Sequence, residues 1–285
     1  MFMSLSYVDC KPILIQQKGG DSIRFEMLLD KWLESSQIRL KESSYVKYHN
    51  LVERHIKPSL GRHPISEINN TVLNKYVAEK LKRVISTSKG LSEKTVKDIL
   101  TIIKAALRFA KAESLLADVN INVILPKEKP KDMRVLSIDE QAALEKFLCS
   151  DMDESMLGIF LCLYTGLRVG EVCALMWSDI CFEEGVMTVS RTMQRVQTID
   201  ANSPTKTKII VTDPKSNFSI RTIPLPDCLL DRLKQYCPDN LHTYLLTGEA
   251  ERFIEPRTYQ YRFKSYFKHL TTYKCVLKLP VHKNL

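Results

Sequence analysis

The stretch Thr165-Gly166-Leu167-Arg168-Val169-Gly170-Glu171-Val172-Cys173-Ala174-Leu175-Met176-Trp177-Ser178-Asp179-Ile180 is the most informative part of this 285-residue chain. An apolar helical pattern stops at Gly166, which suits a turn with positive φ, and Glu171 suits the first turn of the next helix. The pattern therefore predicts that Arg168 lies in a rigid corner between two packed helices. A fixed guanidinium can bind phosphate through paired hydrogen bonds, although an ordinary helix corner with a surface arginine has the same spacing.

The net charge and the distribution of apolar residues indicate which kinds of partner and location to expect. The chain has 42 lysines and arginines against 33 aspartates and glutamates, a formal net charge of +9. This excess favours an anionic partner, with nucleic acid as the first candidate, but a merely basic soluble protein would show the same balance. No apolar run approaches the roughly 18 residues that a membrane helix needs, and the first residues lack the order of charges and apolar residues of a secretory signal.

The eight cysteines do not indicate a metal site. No two of them form a C-x-x-C pair, and the six histidines do not cluster with them, so we expect no zinc. Cys162 and Cys173 fall within apolar helical patterns, where a thiol usually behaves as a small buried hydrophobe. This cysteine usage favours an intracellular, reducing compartment.

Residues 22–125 show helical periodicity, after an arm at residues 1–21 without a clear pattern. Apolar residues three and four apart predict a first helix with one buried stripe, formed by Phe25, Leu28, Leu29, Trp32 and Leu33. Three more helices have candidate N-caps at Ser43 or Ser44, Asn70 and Ser92. The second of the four helices is expected to end at Lys57-Pro58.

Residues 126–134 predict a basic linker, because the prolines at its start exclude a helix interior. Residues 135–285 then begin with a capping-box pattern, Ser137-Ile138-Asp139-Glu140. After the Arg168 corner we expect strands at about 186–196, 208–212 and 219–225, and a helix at about 227–236. Pro256 suits the first position of another helix. The second half of the chain is therefore predicted to be mixed α/β.

The pattern T-G-L-R-V-G-E, a short apolar helix and W-S-D-I resemble the first arginine box of the tyrosine recombinases, the phage and conjugative-element integrases. The resemblance extends from about Ile23 to about Lys278 and includes Ser219–Leu225, which is similar to the family's S-x-R-x-I-P-L strand. It implies an N-terminal helical, SAM-like core-binding domain that binds DNA. It also implies a mixed α/β catalytic domain with a small three-stranded antiparallel sheet.

The family's activity, site-specific DNA recombination and integration, is expected here through the same resemblance. In that reaction a tyrosine attacks a DNA phosphate, forms a 3′-phosphotyrosyl link and releases a 5′-hydroxyl, without metal, ATP or another cofactor. The implied partners are double-stranded DNA with recombination sites, other protomers in a tetrameric synapse, and accessory DNA-bending or excision factors. We therefore expect a bacterial cytoplasmic protein associated with the nucleoid.

The resemblance also assigns roles to individual residues. Arg168 matches the first catalytic arginine, and Glu171 matches an acidic position that braces a neighbouring donor. Lys215 matches the lysine that protonates the leaving 5′-oxygen, at the tip of a predicted hairpin between the second and third strands. A surface lysine is the alternative, and Lys206 and Lys208 are weaker candidates. The basic helical residues are expected to contact DNA, with a solvated face as the alternative; they are Lys41, Lys47, Lys94, Lys97, Lys104 and Arg108.

The C-terminal end departs from the family pattern H-x-L-R-H followed by the nucleophilic tyrosine. His282 occupies the place of the first histidine, but Leu285 stands where the second arginine is expected. The late tyrosines precede the expected nucleophile, so we expect none of them to serve; they are Tyr259, Tyr261, Tyr266 and Tyr273. Two hypotheses follow: a recombinase sequence truncated before its last catalytic segment, or a non-catalytic DNA-binding protein that occupies recombination sites or interferes with an intact integrase.

Overall fold

The computed structural model describes residues 23–82, 90–116, 121–123, 125, 135–150, 152–200, 203–213 and 220–270. The chain divides into two compact units between Lys129 and Pro130. The predicted arm at residues 1–21, the linker at 126–134, Lys215, Tyr273 and His282 lie outside the described residues. Within the described ranges, no helix combines the length and the apolar character that crossing a bilayer requires.

The first unit consists of helices, as the periodicity predicts. Their bounds are α1 (Phe25–Gln37), α2 (Glu42–Leu51), α3 (Lys57–Leu60), α4 (Asn70–Leu81) and α5 (Glu93–Ala112). Ser92 caps α5 as predicted, with its hydroxyl accepting the Thr95 N–H at 3.2 Å. The cap of α4 is Asn69 rather than Asn70, because the Asn69 side chain accepts the N–H groups of the first turn.

The core of the first unit lies between α1 and α5. All five residues of the predicted α1 stripe are buried, which confirms that prediction; they are Phe25, Leu28, Leu29, Trp32 and Leu33. Trp32 stacks on Tyr48 of α2 with the ring centroids 5.9 Å apart. These aromatic side chains therefore pack in the core of the unit.

The second helix differs from the prediction at both ends. It begins at Glu42 with Lys41 at the N-cap, so neither Ser43 nor Ser44 caps it. It then passes through a π-helical stretch, Val52–Ile56, into α3 and continues beyond Pro58 to Leu60. Pro58 is the second residue after the π-helical stretch, where the regular ladder of hydrogen bonds between residues four apart is already interrupted.

The second unit combines helices with short antiparallel strands, as predicted. Its helices are α6 (Ile138–Ser150), α7 (Glu154–Thr165), α8 (Val169–Ala174), α9 (Asp227–Tyr236) and α10 (Pro256–Leu270). Its strands are β1 (Ile180–Cys181), β2 (Val186–Val189), β3 (Thr192–Gln197), β4 (Thr207–Thr212) and β5 (Arg221–Pro224). The predicted capping box forms at α6, where Ser137 Oγ accepts the Glu140 N–H and Glu140 accepts the Ser137 N–H.

The strands pair differently from the sequence prediction. The run predicted at 186–196 breaks at Ser190 and Arg191 into β2 and β3, which belong to two sheets. One sheet has the order β1-β2-β5 and the other consists of β3 and β4, all antiparallel. The prediction that the second and third strands form a hairpin is therefore wrong, since β4 pairs with β3 and β5 pairs with β2.

The two sets of strand pairs meet where β2 ends and β3 begins. Val189, the last residue of β2, pairs with Arg221, and Thr192, the first residue of β3, pairs with Thr212. In the sequence, Lys215 therefore comes between the partner of Thr192 and the partner of Val189.

Helix α8 packs closely on β3 at Gly170, and this contact yields a stability prediction. A Cβ at Gly170 would lie 2.6 Å from Thr192 Oγ1 and 2.7 Å from the Met193 carbonyl oxygen. Gly170→Ala is expected to lower the free energy of unfolding by about 1–3 kcal/mol, because backbone must move. Urea unfolding measures the change. Adding Thr192→Ala should restore only part of the loss, since the Met193 carbonyl remains; full restoration would contradict the backbone contact.

Candidate phosphate-binding site around Arg168

The corner between α7 and α8 has the geometry that the sequence predicts. Gly166 adopts φ 66° and ψ 24°, the left-handed region, and its N–H donates to the Cys162 carbonyl at 3.0 Å. This arrangement ends α7 and turns the chain within two residues. Arg168 is extended at the N-cap of α8, so its side chain departs from a fixed backbone.

Glu171 lies one turn into α8 and reaches back to Arg168. Its Oε2 accepts the Arg168 backbone N–H at 2.9 Å, and its Oε1 accepts from Arg168 Nη1 at 2.9 Å. The Glu171 side chain is 9% exposed, whereas the Arg168 side chain is 77% exposed. The structure therefore brings these two predicted residues together, with the carboxylate inside and the guanidinium at the surface.

Arg221, at the start of β5, is the second partner of Glu171. Its Nη1 donates to Oε1 at 3.1 Å and its Nη2 donates to Oε2 at 2.7 Å. Such a forked pair is the strongest arrangement between an arginine and a carboxylate. Arg221 is not among the residues predicted for the site. Its position in the S-x-R-x-I-P-L strand was a signal, but Arg221 and Glu171 are 50 positions apart in the sequence, so local spacing does not predict their contact.

The two arginines keep Glu171 ionised. Burial would raise the pKa of the carboxyl group, but the hydrogen bonds from Arg221 and Arg168 outweigh it and lower the pKa to about 2. The same contact with Glu171 raises the pKa of Arg221. Counting the three side chains, the cluster carries two positive charges and one negative charge, so it retains a net positive charge beside an exposed guanidinium.

The lowered pKa of Glu171 predicts a pH-dependent contribution to stability. Because the unfolded carboxyl group binds a proton near pH 4.5 and the folded one only near pH 2, the contribution is complete above about pH 5 and is lost as the pH falls towards 2. Wild type should exceed Glu171→Gln in free energy of unfolding at pH 6, and the difference should shrink by pH 3. Urea unfolding at several pH values tests this; a constant difference would contradict it.

A second ion pair fixes the break between β2 and β3. Arg191 Nη2 lies 2.6 Å from each Asp179 carboxylate oxygen, and Asp179 Oδ2 also accepts the Met176 N–H at 2.8 Å. Asp179 belongs to the Trp177-Ser178-Asp179 part of the opening motif. The motif therefore anchors Arg191, at the break between β2 and β3.

Of the remaining candidates for catalysis, the structure describes only the two weaker alternatives to Lys215. Lys215 and His282 lie outside the described residues. Lys208, a weaker alternative to Lys215, is exposed and pairs with Val196, next to the terminal pair of β3 and β4. Lys206 comes before β4 begins. Both alternatives are thus farther along the chain from Arg221 than Lys215 is.

The described late tyrosines differ in their hydroxyl contacts. Tyr259 is buried, its hydroxyl donates to the Ser155 carbonyl at 2.8 Å, and burial raises its pKa. The Tyr266 hydroxyl lies 2.7 Å from Asp153 Oδ2, and burial first and this carboxylate second raise its pKa to about 12. Tyr261 is exposed, and a hydrogen bond from Arg257 lowers its pKa. Two of the three hydroxyls are therefore held by structural contacts.

The predicted DNA-binding residues lie on α2 and α5. On α5, Lys94, Lys97, Lys104 and Arg108 are three, seven and four residues apart, so they follow one face of the helix. The buried residues of α5 occupy the opposite side. Lys47 of α2 forms an ion pair with Asp98 at 2.7 Å, and Lys41 is the N-cap of α2.

Across the described parts of the chain, no group of three or more His, Cys, Asp or Glu could hold a metal ion.

Two family models match the chain in the order of its two units. Residues 24–81 match the phage integrase N-terminal SAM-like domain, and residues 134–283 match the phage integrase family. The second match covers more than half of the 285 residues. The chain therefore belongs to the phage integrase family of tyrosine recombinases.

Curated relatives agree with this assignment. The chain is 30% identical over 219 residues to a tyrosine recombinase XerC-like protein of Caldanaerobacter subterraneus subsp. tengcongensis, covering 73% of this chain and 54% of that protein. It is 24% identical over 218 residues to the ICEBs1 integrase of Bacillus subtilis, covering 75% and 55% respectively. The chain thus spans about half the length of these relatives.

Solved structures share the fold. A Tn1549 transposon integrase in complex with transposon right end DNA aligns with a TM-score of 0.70 at 18% identity, covering 90% of this chain and 82% of that one. A lambda integrase tetramer bound to a Holliday junction aligns with a TM-score of 0.58 at 18% identity, covering 87% and 66%. At this level of identity the likeness concerns the fold alone.

Proposed function

We propose that this chain acts in site-specific DNA recombination and that the Arg168 guanidinium binds the phosphate at which strands are exchanged. The observation that carries the proposal is the position of Arg168. Its guanidinium is anchored to a buried, ionised carboxylate and remains 77% exposed. A fixed and exposed guanidinium suits a phosphate whose charge grows in the transition state, because it needs no rearrangement during the reaction.

We assign the two units separate roles on DNA. Residues 22–125 would form the core-binding domain and contact DNA phosphates through the basic face of α5, with residues 126–134 as the linker. Residues 135–285 would form the catalytic domain. The proposed partners are double-stranded DNA of the bacterial nucleoid, other recombinase protomers in a tetrameric synapse, and DNA-bending or excision factors.

The proposed chemistry is a transesterification at phosphorus. A tyrosine hydroxyl gives up its proton to water as its oxygen bonds to phosphorus, the bond to the 5′-oxygen breaks, and that oxygen takes a proton. Arg168 would stabilise the negative charge of the pentavalent phosphorane. Lys215 would supply the proton to the 5′-oxygen, and its place in the sequence, between the end of β4 and Arg221 at the start of β5, supports this assignment. His282 would add a further donor to the phosphate.

The contacts of the tyrosines support a second candidate function. Tyr259 and Tyr266 each donate a hydrogen bond within the second unit, and moving either hydroxyl to a DNA phosphate would break that bond. We propose that neither is the nucleophile. A chain without a nucleophile would bind recombination sites without cleaving them and could interfere with an intact integrase.

The proposed function can be tested with duplexes selected from a random-sequence pool by binding to the 285-residue chain. Arg168→Gln is expected to weaken binding to the selected duplex by about tenfold or more, the equivalent of one charge-assisted hydrogen bond. Arg232→Gln removes the same charge from a half-buried position on α9 and serves as the control. Equal affinities of wild type and Arg168→Gln, or no enrichment of any duplex, would refute the proposal.

A further inference from the structure

The Glu171 carboxylate is shared unequally between its two arginines. It accepts four hydrogen bonds: two from the Arg221 guanidinium, one from the Arg168 guanidinium and one from the Arg168 backbone. Arg221 thus uses both terminal nitrogens on Glu171, whereas Arg168 uses one. The two-bond pair with the Arg221 guanidinium is therefore the stronger of the two side-chain interactions of the carboxylate.

The exposed fractions of the two arginine side chains differ in the same sense as their hydrogen bonds. The Arg221 side chain is 31% exposed and Glu171 is 9% exposed, whereas Arg168 is 77% exposed. Charges interact more strongly where water is partly excluded, so Glu171 and Arg221 form the inner pair. Arg168 forms the outer member of the cluster and faces solvent.

Removing Arg221 would change the charge that Arg168 can offer to a phosphate. Without it, the cluster has one positive and one negative charge, and Glu171 has only Arg168 to balance it. The guanidinium of Arg168 would then be drawn into a two-bond pair with the carboxylate. Its charge would be compensated inside the protein before any phosphate arrives.

We propose that Arg221 is a positioning residue that balances Glu171, and thereby keeps the guanidinium charge of Arg168 available for a DNA phosphate. This inference rests on the proposed function, because it concerns the same phosphate site. Arg221 acts through Glu171 and does not itself contact DNA. Its effect on DNA binding therefore depends on the negative charge of Glu171.

The experiment compares the affinities of four variants for one selected duplex across a range of salt concentrations. Arg221→Gln should weaken binding about tenfold and reduce the slope of log affinity against log salt by about one, as losing one phosphate contact does. The double variant Glu171→Gln/Arg221→Gln should recover a slope close to wild type, because Arg168 is uncompensated again. Glu171→Gln alone and Arg221→Lys should retain the wild-type slope.

The outcomes separate the possible roles of Arg221. If the double variant binds as weakly as Arg221→Gln, Arg221 contacts DNA directly and the inference is wrong; it is also wrong if Arg221→Gln binds like wild type. Thermal unfolding is followed for every variant. Should Arg221→Gln not fold, Glu171→Gln and the double variant are still compared with each other, and a lower slope in the double variant refutes the inference.

Arg168→Gln, measured in parallel, distinguishes this inference from the proposed function. If Arg168→Gln binds like wild type, the phosphate site itself is wrongly placed and the proposed function fails. If Arg168→Gln loses affinity but the double variant does not recover, only the role of Arg221 fails.

Discussion

DNA binding by this chain is expected to weaken about 10³-fold when the salt concentration rises from 50 to 200 mM, because a protein that makes about six phosphate contacts releases as many counterions. Four of the candidate contacts lie on one face of α5, at Lys94, Lys97, Lys104 and Arg108. Replacing all four with glutamine should reduce the slope of log affinity against log salt by about 3.6. Fluorescence anisotropy with a labelled selected duplex measures both quantities.

A matched control removes four positive charges that are spread over three other helices, at Lys31, Lys75, Arg232 and Lys234. This variant has the same net charge as the α5 variant, so it corrects for long-range attraction between protein and DNA. We expect its slope to stay within about one unit of wild type. Equal losses in the two variants would show that total charge, rather than the α5 face, determines DNA binding.

Among the described tyrosines of α10, Tyr259 and Tyr266 are not expected to form a covalent link to DNA. The buried Tyr259 hydroxyl donates a hydrogen bond to the Ser155 carbonyl, and the Tyr266 hydroxyl donates one to the Asp153 carboxylate. A tyrosine whose hydroxyl cannot reach phosphorus forms no covalent link at all, whereas the loss of one transition-state donor costs only about 10²–10³ in rate. Incubation with a nicked suicide form of the selected duplex, followed by a denaturing gel, measures any protein–DNA adduct.

Tyr261 requires the sharpest control in that experiment, because it is exposed and its pKa is lowered by Arg257. Any adduct is mapped by mass spectrometry of its peptides, and the incubation is repeated with Tyr261→Phe. An adduct on Tyr259, Tyr261 or Tyr266 would show that the nucleophile has been misassigned. It would also favour an active recombinase over a non-catalytic DNA-binding protein.

The elements that could be predicted from sequence are those with local causes. The α1 stripe, the Ser92 cap, the capping box at Ser137 and the turn at Gly166 each depend on contacts or repeats between residues three or four positions apart. Arg168 and Glu171 are three residues apart on the same corner, so their contact follows from the start of a helix. These predictions agree with the structure because local geometry determines them.

The features that could not be predicted depend on distant contacts. The division of residues 186–197 into two strands at Ser190 and Arg191 follows the ion pair between Arg191 and Asp179, which are 12 residues apart. The pairing of β2 with β5 brings Arg221 to Glu171 across 50 residues. A period-two pattern indicates a strand but not its neighbour. The sequence therefore indicated the Arg168 corner but not the second arginine that completes it.

The most direct test of the central claim is whether Arg168 contacts one particular DNA phosphate. Single methylphosphonate substitutions, which remove the charge of one phosphate, are placed in turn along both strands of the selected duplex. The account predicts one position at which the substitution weakens binding by wild type about tenfold but has no further effect on Arg168→Gln. If every substitution weakens wild type and Arg168→Gln equally, Arg168 does not bind a DNA phosphate and the account is wrong.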